Sequence, residues 1–135
     1  MPIRVLIADD DAAIRRLLRR LIESHADWSV CGDAEDGQQA ILKAAELTPD
    51  VIVLDLAMPQ MNGLQAAREI SRTLPELPML LLTVQQVSPE LTKEALHAGF
   101  RGAVSKNTGS EVVRAIESLL LHQNFFQSAR KDVYA

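Results

Sequence analysis

The chain is short of cysteine, with one, Cys31, in 135 residues. A single thiol excludes an internal disulfide and suits a reducing compartment. Cys31 falls in the run WSVCGD, where a small buried apolar residue is expected. No base or cation beside it in sequence marks a reactive thiol. Long apolar runs are missing as well, none approaching the roughly 18 residues of a membrane span. The N-terminus enters a strand-like segment with no signal-peptide pattern. Together these absences predict a cytoplasmic location and no membrane partner. Positive charge is not in excess: 14 Lys and Arg against 18 Asp and Glu leave a net charge of −4. Direct nucleic-acid binding by this domain therefore has no electrostatic footing. Internal repeats and low-complexity segments are lacking, and no G-x-G-x-x-G follows the first apolar run. That turn is acidic and would repel a pyrophosphate, which argues against a flavin or dinucleotide binder.

What the sequence does have is alternation. IRVLIA (3–8), SVCGD (29–33), VIVL (51–54), MLLLT (79–83) and GAVS (102–105) read as strands, each followed by a helical pattern. The first helix carries Ile14, Leu17, Leu18, Leu21 and Ile22 on one face and Arg15, Arg16, Arg19 and Arg20 elsewhere, an ordinary solvated face. Gly37 opens a second helix with Ala40, Ile41, Ala44 and Leu47, closed before Pro49. Leu64, Ala67, Ile70 and Leu74 mark a third, stopped by Pro75. Ser88 and Pro89 fit the N-cap and first position of a fourth, with Leu91, Ala95 and Leu96 along its stripe up to Gly99. Thr108 and Glu111 make a capping-box pattern for a fifth, with Val112, Val113, Ile116, Leu119 and Leu120 inward. Residues 123–135 lose the stripe and read as a tail or the start of a linker, leaving 1–122 as one domain.

Strands and helices alternating in this way predict an α/β fold, a doubly wound five-stranded parallel sheet with five helices covering both faces. Ligand sites in such folds lie beyond the carboxyl ends of the strands. Asp9, Asp10, Asp55, Thr83 and Lys106 all fall at that edge. Two like charges 4 Å apart cost about 4 kcal/mol at an effective dielectric near 20, and a third acid raises the cost. A hard, oxygen-seeking divalent cation offsets it, and magnesium, small and retaining waters, fits best. Lys106 adds a positive charge and Thr83 a hydroxyl donor. This donor set suits a phosphoryl group, with Asp55 as the nucleophile that forms an acyl phosphate. Asp11, at the helix start, is expected only to cap it. His25, His97 and His122 have no ligand spacing, and Trp28 is expected to pack at a core edge.

The succession LIADD, VIVLDLAMPQMNG, LLLT and VSK closely resembles the receiver domain of bacterial two-component response regulators, over residues 3 to about 122. The resemblance implies the strand order 2-1-3-4-5. It implies that Asp55 accepts phosphate from a sensor histidine kinase or phosphotransfer protein. Asp10 and Asp55 would ligate Mg2+, Asp9 mainly through water and Ala57 through its backbone carbonyl, while Thr83 and Lys106 contact the phosphoryl group. Arg15 and Arg19 would lie on the surface where the kinase docks. Catalysis would be limited to self-phosphorylation and self-dephosphorylation. The response would be a repacking of the face made by the last two helices and the fifth strand, with homodimerisation on phosphorylation through that face or the final helix. AEDGQQAI and the FF-containing tail further resemble regulators whose output domain, absent here, is a DNA-binding helix-turn-helix.

This chain departs from the family pattern at Ala103, where an aromatic is usual, at Val84 after the threonine, and at Asn107 after the lysine. A phosphate-ester hydrolase is disfavoured by Ala57, which stands where such enzymes carry a second Asp. The remaining alternative is a degenerate receiver that binds a partner without phosphorylation.

Overall fold

In the computed structural model, residues 2–107 and 109–127 are described. Strands β1 (Ile3–Ala8), β2 (Trp28–Ala34), β3 (Val51–Asp55), β4 (Met79–Thr83), β5 (Gly102–Ser105) and β6 (Phe125–Phe126) alternate with helices α1 (Ala12–Glu23), α2 (Gly37–Leu47), α3 (Gly63–Thr73), α4 (Pro89–Ala98) and α5 (Gly109–Leu120), β6 coming last. The sheet is parallel throughout, in the order β2-β1-β3-β4-β5-β6. It is the predicted doubly wound sheet with one strand more.

The extra strand lies in the stretch read from sequence as a tail. Phe125 pairs with Gly102 and Phe126 with Ala103. Two residues carry no periodicity, so hydrophobic pattern could not reveal them. The rest of that stretch, 128–135, lies outside the described residues, as does Thr108 of the expected capping box.

Strand residues alternate between two interiors. Leu6, Ala8, Ile52, Leu54, Met79, Leu81 and Ala103 pack beneath α2, α3 and α4. Val5, Ile7, Val51, Val53, Leu80, Leu82 and Val104 pack against α1 and α5. Both faces of the central strands are therefore dry, which is why they read as unbroken apolar runs rather than alternating ones.

Helix starts follow local chemistry. The Asp11 carboxylate accepts from the N–H groups of Ala13 and Ile14, the capping role expected of it. Ser88 caps α4 by accepting from Leu91 N–H, with Pro89 in the first turn. Asn62 and Gln65 close α3 with a reciprocal capping box that the sequence reading passed over. Leu17 and Leu96, placed on apolar stripes by spacing, are 44% and 45% exposed. Each sits at the border of its stripe, where the neighbours Leu18 and Ala95 take the inward direction. Trp28 is buried at the edge of the second interior, its ring stacked on His25 with centroids 3.7 Å apart.

Candidate functional site

Each strand that ends on a polar residue delivers it to the same edge. β1 runs into Asp9 and Asp10, β3 ends on Asp55, β4 on Thr83, and Lys106 follows β5. Between them lies an open cleft of about 300 Å³ lined by Asp10, Asp55, Thr83, Val84 and Lys106, among others. Asp9 lies beneath it, with no solvent exposure, and Asp55 and Thr83 are nearly as buried.

Asp9 is anchored through its backbone and its side chain. Its N–H donates to the Ala34 carbonyl at 3.0 Å, and its Oδ1 accepts from Asp11 N–H at 2.9 Å. Oδ2 faces the Lys106 ammonium at 2.6 Å. Apart from that ion pair, Oδ2 has no hydrogen-bond partner among the described residues. The same ammonium reaches Asp55 Oδ1 at 3.1 Å. One cation thus bridges the ends of β1 and β3. Lys106 is itself held by its N–H, which donates to the Thr83 carbonyl at 2.8 Å. The Thr83 hydroxyl oxygen accepts from Gln85 N–H at 3.0 Å, which leaves its own proton free to donate elsewhere.

The electrostatics divide the two partners. Burial, and next the Asp9 charge, push the Asp55 carboxyl up to about 6, against the lowering influence of Lys106 and the Ala57 backbone N–H. Burial works to lower Lys106, but its bonds to Asp9 and Asp55 and their charges outweigh it and hold the ammonium above its usual range. Three carboxylates thus gather around a single ammonium at this edge. Ligand oxygens of Asp9, Asp10 and Asp55 lie within 4.8 Å of one another. An all-oxygen donor set short of positive charge fits a hard divalent cation.

The loop after β3 is closed by Gly63, whose N–H donates to the Leu56 carbonyl at 2.8 Å. A Cβ on Gly63 would lie 2.3 Å from the Asp55 carbonyl oxygen, so glycine here permits the close approach that sets Asp55 at the cleft. Gly63→Ala is expected to cost about 2 kcal/mol through this overlap. Thermal unfolding measures it, and an unchanged midpoint would show that the loop yields freely.

The five polar residues expected at the sheet edge are thus brought together. Arg15 is placed differently from the solvated face expected of it. Its side chain is 15% exposed, donates to the Asp9 carbonyl at 2.7 Å and pairs with Asp33 at 3.6 Å. An arginine one turn into a helix that follows an acid pair was the available signal. Ala103 is fully buried, and Val84 is 68% exposed at the mouth of the cleft.

A doubly wound parallel sheet with three acids, a threonine and a lysine gathered at its carboxyl edge defines a flavodoxin-like module with its site at the strand ends. The chain belongs to the response regulator receiver domain family, whose model matches residues 5–117. It is 36% identical over 124 residues to response regulator GacA of Pseudomonas protegens, covering 91% of this chain and 58% of that protein. It is 39% identical over 108 residues to a protein-glutamate methylesterase/protein-glutamine glutaminase of Thermotoga maritima, covering 80% of this chain and 31% of that one. The crystal structure of a LuxR-family two-component response regulator from Aurantimonas sp. SI85-9A1 matches with a TM-score of 0.88 at 32% identity, over 93% of this chain and 89% of that one. The chain spans about a third to somewhat over half the length of these two curated relatives. Among the described residues, no helix is long and apolar enough to cross a membrane.

Proposed function

We propose that this domain is a phospho-accepting switch in which Asp55 takes a phosphoryl group from a sensor histidine kinase or phosphotransfer protein. The observation that carries the reading is the Lys106 ammonium bridging Asp9 and Asp55 at the floor of an open cleft. Asp55 Oδ1 would attack phosphorus, forming the acyl phosphate while the bond from phosphorus to the donor breaks. Lys106 would then exchange its contact with the Asp55 carboxylate for one with a phosphoryl oxygen, and the Thr83 hydroxyl would turn to donate to another. Asp10 and Asp55, the Ala57 carbonyl and, through water, Asp9 would hold Mg2+, which when bound neutralises charge on the transferring oxygens.

The receiver unit on this reading spans residues 1–122, with 123–135, which include β6, a C-terminal tail or the start of a linker. The domain would act in the cytoplasm. Its likeness to the transcriptional regulatory protein YdfI of Bacillus subtilis, half of whose length it covers, supports an output that reaches DNA through another domain rather than through this one. Homodimerisation on phosphorylation would use α5, or the face of α4 and β5, whose outer edge β6 lines and where Leu96 is exposed. Its own catalysis would be confined to gaining and losing the phosphoryl group.

Intact mass after incubation with Mg2+ and acetyl phosphate tests the acceptor. The expected result is a metal-dependent phosphoryl adduct on the wild type and none on Asp55→Asn. If the wild type takes up neither the phosphoryl group nor beryllofluoride, the domain is instead a phosphorylation-independent binding module.

A further inference from the structure

Beyond residue 117, where the family match ends, the chain returns to the sheet and lies down beside β5. Gly102 makes this approach possible. A Cβ there would stand 2.5 Å from the Phe125 carbonyl oxygen, so any larger residue pushes β6 away. The two rings of β6 straddle the sheet, Phe126 against the interior beneath α4 and Phe125 against the interior beneath α5. Arg114 of α5 sits over the Phe125 ring at 6.0 Å. The ladder continues with Phe125 N–H donating to the Arg101 carbonyl at 3.0 Å and Gln127 N–H to the Ala103 carbonyl at 2.9 Å.

Gln127 directly follows β6, level with the end of β5. In the regular parallel ladder the Ser105 N–H would pair with the Gln127 backbone carbonyl. The Gln127 side chain takes that place, its Oε1 accepting from Ser105 N–H at 2.7 Å. Ser105 precedes Lys106, and its hydroxyl accepts from Asn107 N–H at 3.2 Å. The turn that presents Lys106 is therefore fixed on the β4 side by the Thr83 carbonyl and on the outer side by Gln127.

We propose that Gln127 is a positioning residue for the Lys106 ammonium, so that docking of β6 on β5 and occupation of the phosphoryl site favour one another. This rests on the reading of Asp55 as phosphoacceptor. A lysine held at both acids before the ligand arrives loses less freedom when a phosphoryl oxygen replaces one of them. Linkage makes the effect reciprocal: whatever β6 contributes to ligand affinity, the ligand returns to the docking of β6. Because β6 runs parallel to β5, its carboxyl end points to the same edge as the acids.

The test uses the full 135-residue chain, Mg2+ and beryllofluoride as the phosphoryl mimic. Gln127→Ala and Gly102→Ala are each expected to weaken beryllofluoride binding roughly three- to tenfold, the scale of one net hydrogen bond. Gln127→Glu keeps an oxygen acceptor for Ser105 N–H and is expected to restore affinity to within roughly twofold of the wild type. In the wild type, beryllofluoride is expected to slow hydrogen exchange of the Ser105 and Gln127 amides more than that of the β2 amides at the opposite edge of the sheet, a difference that general stabilisation by the ligand would not produce. Unchanged affinity in Gln127→Ala and Gly102→Ala overturns the proposal, as does exchange at those amides slowed no more than at β2 on binding. Wild-type binding together with unaffected variants removes this proposal alone. Absence of binding to the wild type removes the phosphoacceptor reading and this one with it.

Discussion

Lys106→Met is expected to lower the stability of the domain by about 3 kcal/mol at pH 8 and by much less at pH 5. Methionine keeps most of the volume, so packing changes little and the missing charge dominates. Its removal leaves Asp9, without solvent exposure, facing Asp55, 3% exposed. The folded Asp55 carboxyl already stands near 6 because of burial and Asp9, and it loses the two lowering influences of Lys106. It therefore rises further in the variant. An unfolded Asp ionises near 3.9, so between about pH 4 and the folded value the native state holds the extra proton. Stability then rises as pH falls through that window. The variant enters the window at a higher pH than the wild type, and the gap between them narrows on acidification. The raised pKa of Lys106 itself leaves its contribution intact below the usual lysine range and removes it only in strong alkali. Urea unfolding at the two pH values measures the difference. An equal loss at both would mean that Lys106 contributes by packing alone.

Asp55→Asn is expected to move stability the other way, raising it by about 2 kcal/mol at pH 7 while abolishing phosphoryl uptake. The ionised Asp55 carries a cost of desolvation and of repulsion from Asp9 that its displacement from 3.8 to about 6 records. An amide of the same shape carries neither cost, and its oxygen still accepts from Lys106. The wild type should lose stability as pH rises from about 4 to 6, because the native carboxyl is giving up a proton that the unfolded chain has already released. The variant should lack that slope. A variant with wild-type stability and an unaltered slope would place the titrating group elsewhere. An ionised carboxylate at this position thus costs the fold stability, as the proposed phosphoacceptor role would require.

How far the sequence reveals this architecture depends on the residue. Asp9, Asp55 and Thr83 each end an apolar run, and Lys106 follows one, so their convergence at one edge follows from a parallel sheet alone. Asp11 was legible as a cap because an acid at a helix start has a local partner. Arg15 was not, because helical spacing gives the direction of a side chain from the axis but not its reach, and this one turns back to the Asp9 carbonyl. Strand β6 was invisible to periodicity, and so was the work of Gln127, whose partner Ser105 stands 22 positions away. Leu17 and Leu96 show the same limit from the other side: a stripe has borders, and spacing does not say where a neighbouring element stops covering it.

The sheet divides the apolar interior into two compartments that share no side chain among the described residues. Substitutions beneath α3 and substitutions beneath α5 meet only through a rigid plane of backbone, so their energetic consequences should sum rather than compound. A lineage carrying this fold can redraw one compartment at a time, accepting damage on one side without forfeiting tolerance on the other. The strand ends are the exception, since Asp9, Asp55 and Lys106 touch one another across the top of the plane. Change there is collective, and that edge is where the history of one residue constrains the next.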